Sequence, residues 1–290
     1  MAVVDSIPVV IPVMPSRARA FWPAVRRVGI VDRIAIGGAI GITILAIITP
    51  LIAPYDPVKP AGATYHAPGQ GFLLGTDEVG RDLLSRILWG MRSSWFSALV
   101  VIAIGVLIGG LVGLVAGAAG GWVDGLLMRI TDMFLALPGP VLAIAVVAAL
   151  GPSLEHTLLA VTIVWWPFYA RIVRGEIWAM RSRPHLEAAR LAGVGRTRRA
   201  LRHLLPGAIP ATIVTASLDV GNLVLTLAGL SFLGLGAPAP APELGAMAAR
   251  GLPQLLEHWW IPVVPGLAVF LLAFVANLAG DGLRDLIGDR

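Results

Sequence analysis

The amino-acid sequence predicts an all-α integral membrane protein with six transmembrane helices and both chain ends in the cytoplasm (N-in, C-in). Three observations carry this prediction. First, 57% of the 290 residues are hydrophobic and only 13% are charged, which is far from the composition of a soluble domain. Second, six apolar runs are each close to or above the roughly 20 residues that cross a bilayer as a helix. Third, most of the 22 lysines and arginines fall on the cytoplasmic side of that topology.

The apolar runs divide the chain into an N-terminal anchor and a helical core. Residues 1–29 are basic and rich in proline and are expected to form a cytoplasmic tail; the first apolar run is too long for a typical signal-peptide core, so we expect it to be retained. Residues 30–93 comprise the first span and an external segment, residues 94–283 a core of five spans with a basic loop at 181–207, and residues 284–290 a second cytoplasmic tail. The six runs are approximately 31–52, 94–119, 126–150, 157–177, 209–235 and 261–279.

The external segment carries helix signals in its second half. Thr76 or Asp77 can cap a helix start, and apolar residues then recur at helical spacing, opposite Arg81, Ser85 and Arg92. This pattern predicts an amphipathic helix that lies in the outer membrane interface. Its apolar positions are Leu83, Leu84, Ile87, Leu88 and Met91.

The second and third spans contain glycines, charges and prolines that predict specific contacts. Glycines that alternate with aliphatic residues in the second span favour close helix packing. Asp124, Arg129 and Asp132 lie near the inner interface, where an unpaired charge is costly. Because Arg129 and Asp132 are three residues apart, they can face each other on a helix. Pro138 and Pro140 are expected to kink or loosen the third span.

The fifth span contains three polar residues, Ser217, Asp219 and Asn222, in an otherwise apolar run. Polar groups in lipid are costly, so these side chains should face a cavity or another helix. Two interpretations stay open for Asp219. It either lines a substrate path, where it would attract a cationic group such as a peptide amino terminus, or makes a helix-to-helix hydrogen bond.

Residues 184–210, between the fourth and fifth spans, form the most distinctive stretch of the chain. Strong helix formers precede Gly193 and Gly195, which are expected to end a first short helix, and a second helical piece follows until Pro206 closes it. The many arginines place this segment in the cytoplasm. A loop that only set the topology would need charge, but it would not need two glycines and a terminal Leu-Pro. The pattern therefore favours a docking site.

The spacing of this loop resembles the EAA loop of the permease subunits of bacterial ABC importers, in which Glu-Ala-Ala is followed by a spaced Gly and a later Leu-Pro. In that family the loop forms coupling helices that dock into a groove of the ATP-hydrolysing subunit. His203 stands where most such permeases have Ile, and Arg-His before Leu-Leu-Pro is similar to the peptide and nickel branch. The resemblance assigns ATPase coupling to Glu187, Ala188, Ala189, Gly193, His203, Leu205 and Pro206.

Three further stretches resemble the same branch. Residues 230–236 read LSFLGLG, and residues 280–285 match a G-D-x-L-R-D tail. Residues 75–82 resemble the signature that precedes the permease core, and in that family this external segment lies near the docking surface for the substrate-binding protein. The positions so implicated are Thr76, Asp77, Gly80, Arg81 and Asp82.

The resemblance implies a permease subunit with the type I ABC importer fold, in the bacterial cytoplasmic membrane, from the dipeptide, oligopeptide and nickel family. The chain would form half of the path together with a second homologous permease. One or two cytoplasmic ATPase subunits would bind ATP and Mg, and an extracytoplasmic binding protein would deliver the substrate. The motifs favour peptides over nickel as the substrate.

The residues argue against several kinds of chemistry in this chain. There are no cysteines, and the only lysine, Lys59, is not part of a P-loop, so ATP must be hydrolysed by another polypeptide. The five histidines have no metal-ligand spacing, and we expect no cofactor, metal site or catalytic residue. Two alternatives from other classes remain: a gradient-driven channel or carrier that uses Asp219 as an ion or proton site, and an intramembrane enzyme. The second lacks a plausible nucleophile and base.

Overall fold

The computed structural model describes residues 29–69 and 71–288, and within these ranges the regular secondary structure is helical apart from one isolated bridge. The expected cytoplasmic tail at 1–29 lies outside the described residues except for Gly29, as do residues 289–290 of the second tail. The helices are α1 (Ile30–Ile52), α2 (Leu83–Ala119), α3 (Gly121–Leu135), α4 (Gly139–Leu150), α5 (Leu154–Met180), α6 (Pro184–Leu191), α7 (Arg196–Phe232), α8 (Leu244–Gly251) and α9 (Trp260–Gly288).

Five of the described helices are long and apolar enough to cross a membrane: α1, α2, α5, α7 and α9. The third predicted span is two helices, α3 and α4, which meet at an angle of 83° and together would supply a sixth crossing. Pro138 disfavours helical geometry at Leu137, and Pro140 lies in the first turn of α4, where no N–H partner is needed. The predicted kink is confirmed, and it divides the third span into two helices.

The predicted amphipathic helix in the outer interface is also wrong. Asp82, and neither Thr76 nor Asp77, caps the helix: its Oδ2 accepts hydrogen bonds from Ser85 N at 2.8 Å and Ser85 Oγ at 2.6 Å. From Leu83 the chain continues as one helix of 37 residues, about 55 Å long, because no proline interrupts it. Most of the expected polar face is packed within the protein, since Arg81 and Ser85 are buried.

Helices α2 and α5 share the largest contact between two described helices. Gly109, Gly113 and Gly117, one turn apart on α2, lie on the contact face. A methyl group added at Gly113 would lie 2.5 Å from the carbonyl oxygen of Ala170, and one added at Gly117 would lie 2.8 Å from the side chain of Ile177. The two backbones are therefore too close for any side chain here, which confirms the predicted packing through small residues.

A proline in α1 determines how that helix contacts α2. Pro50 has no N–H group, so the carbonyl of Ala46 loses its helical partner. Arg92 of α2 supplies a replacement by donating from Nη1 to Ala46 O at 2.5 Å. Trp95 Nε1 also donates to Thr43 Oγ1 at 3.1 Å. The N-terminal helix is thus joined to the core by polar contacts as well as by apolar packing.

Candidate coupling site

The basic segment between α5 and α7 begins with the predicted short helix and glycine turn. Helix α6 is followed closely by a residue with positive φ, Gly193 at +76°. Gly193 N donates to Arg190 O at 3.1 Å, and Val194 N donates to Ala189 O at 3.0 Å. This is the Schellman pattern of helix ends, which strongly favours glycine at the position with positive φ. The predicted role of Gly193 as a helix terminator is confirmed.

The prediction that Pro206 closes a second short helix is wrong. The helix that begins at Arg196 runs on to Phe232. It passes Pro206 through a π-helical turn, Ala200–Leu204, in which Leu205 N donates to the carbonyl of Ala200. The wider turn changes the hydrogen-bond register just before the proline, so the missing N–H of Pro206 does not end the helix. His203 lies within this π-turn.

The segment is attached to the membrane helices by a small apolar cluster of its own. Leu186 and Leu204 are buried against Ile177, Met180 and neighbouring residues. In contrast, the side chain of Leu191 is 89% exposed at the end of α6. Since burying a leucine is worth about 2 kcal/mol, an exposed leucine on a firmly anchored segment is suited to contact a partner protein. The residues of this cluster are Leu114, Val173, Ile177, Met180, Leu186, Leu204 and Ala208.

The predicted coupling residues do not share one surface. Ala188 and Leu191 are exposed on one face of α6. Glu187, one turn before Leu191, lines an open cavity of about 410 Å³ between α6, the start of α7 and the end of α2. Leu205 and Pro206 begin the transmembrane part of α7. Thus α6 supplies the exposed surface, whereas Leu205 and Pro206 belong to the helix that leads into the membrane.

Near the same end of the bundle, two aspartates of α3 pair with arginines of α5. Asp124 accepts two hydrogen bonds from Arg174, at 2.5 Å from Nε and 2.7 Å from Nη2, in the bidentate geometry of strong pairs. Asp132 accepts one from Arg171 at 2.6 Å. The predicted pair of Arg129 with Asp132 is wrong, because α5 lies alongside α3 and brings arginines with better geometry.

At the opposite end of α2, the external motif shapes a loop. Thr76 Oγ1 donates to Ala63 O at 2.7 Å and accepts from His66 N at 2.8 Å. Gly80 has a φ of +82° and packs directly on the backbone of the chain near residue 62. Thr76, Asp77, Arg81 and Asp82 are all buried. Their side chains hold the loop together and are not available on the surface; nearby Val79 is exposed.

Asp77 lies at the centre of a buried charged cluster. Its Oδ2 is 2.7 Å from Arg81 Nε and 3.3 Å from Arg86 Nε, and the side chains of these three residues are at most 6% exposed. Glu78 lies 3.2 Å from Arg81 Nη2 but is 34% exposed. Among the described residues, the buried Nη2 atoms of Arg86 and Arg250 have no hydrogen-bond partner. The cluster is short of negative charge, so the fold depends on Asp77.

The three polar residues predicted to line a substrate path do not form one site. Asp219 is buried and accepts a hydrogen bond of 2.9 Å from the hydroxyl of Tyr169 on α5. Asn222 also hydrogen-bonds to this carboxyl group but is exposed. Ser217 Oγ donates to Val214 O at 2.7 Å and lies in a groove beside α1 and α9. The geometry gives Asp219 a helix-to-helix contact and leaves Asn222 on an exposed face.

The LSFLGLG stretch ends α7 in the same way as Gly193 ends α6. Gly234 has a φ of +80°, and Leu235 N donates to Leu230 O at 3.0 Å. The chain then folds back so that Glu243 accepts a hydrogen bond from Ala237 N at 2.6 Å. Burial raises the pKa of Glu243. The predicted role of the glycines in ending the helix is confirmed at Gly234.

Comparison with known proteins identifies the family. Residues 109–290 match the family described as binding-protein-dependent transport system inner membrane component. This region contains the basic segment at 181–207, the candidate coupling segment, and most of the membrane helices. The prediction of a transporter subunit in the bacterial cytoplasmic membrane, as opposed to an enzyme, is confirmed by this match.

Relatives and solved structures agree with the family match. The chain is 43% identical over 248 residues to the probable D,D-dipeptide transport system permease protein DdpC of Escherichia coli, covering 85% of this chain and 83% of that protein. It is 39% identical over 288 residues to the di/tripeptide transport system permease protein DppC of Pseudomonas aeruginosa, covering 96% and 94%.

The fold resembles that of a solved importer permease. A chain of the MetNI methionine ABC transporter in an inward-facing conformation matches with a TM-score of 0.57 at 19% identity, covering 69% of this chain and 96% of that chain. The similarity confirms the predicted type I importer fold, with its all-α architecture. The protein therefore belongs to the family of inner membrane permease components of binding-protein-dependent transport systems.

Proposed function

We propose that this chain forms half of the translocation path of an ATP-driven importer that carries di- or oligopeptides. The main support for the proposal is that the candidate coupling segment is anchored on one side and exposes an apolar residue on the other. Helix α6 is fixed to the membrane helices by Leu186 and ends in a leucine, Leu191, that is 89% exposed. The arginines near it in the sequence, Arg190, Arg196 and Arg198, are exposed as well. A cytoplasmic ATPase subunit buries this surface in the assembled transporter.

The energy comes from the partner subunits. The one lysine of this chain, Lys59, lies between prolines in Pro-Val-Lys-Pro, so the chain has no phosphate-binding loop of the P-loop kind. ATP and Mg are bound by one or two ATPase subunits. Their closure moves α6, and with it the start of α7, because the glycine turn at 192–195 joins the two helices. The helices then alternate between outward-open and inward-open arrangements.

A second homologous permease completes the path. Asn222 is exposed in the middle of α7, where a polar group that faced lipid would be costly. Leu225, Gly229 and Phe232 are exposed on the same helical face. We place this face toward the path and the second permease. Asp219 is buried behind this face, where it hydrogen-bonds to Asn222, and it does not contact the substrate.

The substrate class rests on the relatives, whose names refer to dipeptide and tripeptide transport; they favour peptides over nickel. An extracytoplasmic binding protein delivers the peptide to the outer ends of the helices. The exposed apolar side chains in the external loops of the described chain, such as Leu73, Val79, Leu256 and Trp259, offer a surface for that contact.

The coupling proposal predicts that Leu191→Asp releases the ATPase. The transporter is purified in mild detergent by an affinity tag on this chain, and all co-purifying proteins are identified. The unmodified chain is expected to recover a second six-span permease and P-loop ATPase subunits. Because Leu191→Asp removes about 2 kcal/mol of apolar burial and adds a buried charge, recovery of the ATPase is expected to fall at least about tenfold.

The matched control is Leu256→Asp. Leu256 is 98% exposed and lies in the external loop between α8 and α9. This substitution is expected to leave recovery of the ATPase unchanged. Since both leucines are exposed, neither substitution disturbs the fold. Equal recovery of the ATPase with Leu191→Asp and Leu256→Asp would show that α6 is not the docking surface.

A further inference from the structure

The cavity beside the coupling segment has an unusual lining. It measures about 410 Å³, and four guanidinium groups and one carboxylate border it, so its formal charge is +3. The side chains come from three places in the chain: the loop after α5, helix α6 and the first turn of α7. The lining residues that carry charge are Arg181, Arg190, Arg196, Arg199 and Glu187.

Within the described chain, no carboxylate is in direct ion-pair contact with these arginines, although Asp124 attracts Arg181 at longer range. No ion pair of 4.0 Å or less joins Glu187 to any of the four arginines among the described residues. Arg181 instead donates from Nη2 to Ala118 O at 3.1 Å, at the end of α2. Arg196 and Arg199 lie in the first turn of α7, whose free N–H groups and dipole also favour an anion. Both effects attract negative charge into the cavity.

The position of the cavity relates it to the membrane surface. Trp178, which is 48% exposed, lies three residues before Arg181, and the Arg181 guanidinium is 5.6 Å from its ring centre. Trp122, in the first turn of α3, is 79% exposed and lies three residues after Ala119, which lines the cavity at the end of α2. Exposed tryptophans are typical of the membrane-water interface. The cavity therefore opens at the depth of the lipid headgroups on the side that bears the coupling segment.

The cavity touches only part of the exposed surface of α6. Leu186, Glu187 and Arg190 line the cavity, whereas Ala188 and Leu191 are exposed and do not line it. On a helix of 3.6 residues per turn, Leu191 lies about 40° from Glu187 and about 100° from Arg190. An occupant of the cavity would therefore contact α6 beside Leu191 and also contact α7.

We infer that this cavity binds the phosphate group of an anionic lipid headgroup, such as that of phosphatidylglycerol. Arginine forks match phosphate oxygens in geometry and charge, and basic pockets at the cytoplasmic ends of membrane helices suit such headgroups. The lipid would connect the end of α2 to the coupling segment and so stabilise the position of α6. This inference goes beyond the proposed function and does not depend on ATPase docking.

The test measures lipid retention by native mass spectrometry of the transporter purified with its partner subunits. The probes are phosphatidylglycerol and phosphatidylcholine, added to the delipidated complex. The cavity variant is Arg196→Gln with Arg199→Gln; the control is Arg198→Gln with Arg202→Gln, which removes the same charge from the same helix outside the cavity. We expect the cavity variant to bind phosphatidylglycerol about 10- to 30-fold more weakly and the control to bind it within about threefold of the unmodified chain.

Several outcomes would overturn the inference. One is equal loss of phosphatidylglycerol in both variants, and another is no preference over phosphatidylcholine in the unmodified chain. Displacement of phosphatidylglycerol by inorganic phosphate would identify a free phosphate as the occupant. Loss of the ATPase from the cavity variant with unchanged lipid retention would assign the arginines to acidic side chains of the ATPase. ATPase recovery is read from the same samples, so failure of the lipid site is distinguished from failure of the docking proposal.

Discussion

Replacing Asp77 by alanine is expected to cause the largest loss of stability among single substitutions in the external loop. Asp77 is the buried counter-ion of Arg81 and Arg86, at 2.7 Å and 3.3 Å. Without it, two guanidinium groups stay buried with no carboxylate at their centre, which costs about 3–5 kcal/mol. Thermal unfolding of the detergent-solubilised protein, followed by helical circular dichroism, measures the effect.

Glu78→Ala is the matched control for this substitution. Glu78 also contacts Arg81, at 3.2 Å, but its side chain is 34% exposed, so its removal is expected to cost less than about 1 kcal/mol. Both substitutions remove one carboxylate from the same arginine. The difference between their melting temperatures therefore measures how much the burial of Asp77 adds to stability. Similar melting temperatures for the two variants would mean that Asp77 is not the centre of the cluster.

Gly113→Val is expected to disrupt the contact of α2 with α5. A methyl group at this position would lie 2.5 Å from Ala170 O and 3.0 Å from Arg174 N. Both are backbone atoms of a packed helix and cannot rotate away, so the helices must separate. Overpacking of this kind costs about 3 kcal/mol, and separation also strains the pairing of Arg174 with Asp124 across the bundle. We expect little folded protein in the membrane, measured as the monodisperse fraction after detergent extraction.

Gly110→Val provides the control on the same helix. An added methyl group at Gly110 meets no atom within 4 Å in the described chain, so this variant is expected to accumulate to nearly the normal level. Both substitutions place the same β-branched residue in the same helix, so their effect on helix propensity is alike. Poor accumulation of both variants would indicate that helix propensity, and not the contact with α5, explains the glycines.

Local signals predicted several features of this protein well. Hydrophobic runs located the first, second, fourth, fifth and sixth spans, because a membrane helix must be apolar over most of its length. The turn at Gly193 was predictable because a positive φ at a helix end selects glycine. Resemblance of the surrounding motif to a known family correctly predicted the importer fold, and it also predicts a coupling role for the basic segment.

Sequence patterns did not predict the features that depend on longer-range structure. Pro206 signals a helix end by itself, but a π-turn before it lets α7 continue. Asp124 pairs with Arg174, fifty residues away, because α5 lies beside α3. The partner of Asp219 is the hydroxyl of Tyr169, and no local spacing links these two positions. For both aspartates a tertiary contact supplied the partner that decided the outcome, whereas for Pro206 a local change of hydrogen-bond register did so.

The central claim is that transport through this chain is driven by ATP. The direct measurement is uptake of a labelled dipeptide into proteoliposomes that contain the purified complex, with ATP and Mg on the side of the ATPase subunits and the binding protein on the other side. We predict uptake that requires ATP, persists when a protonophore removes the proton gradient, and is lost with Leu191→Asp. Uptake that needs a proton gradient, proceeds without ATP and disappears with Asp219→Asn would contradict the account and identify a gradient-driven carrier.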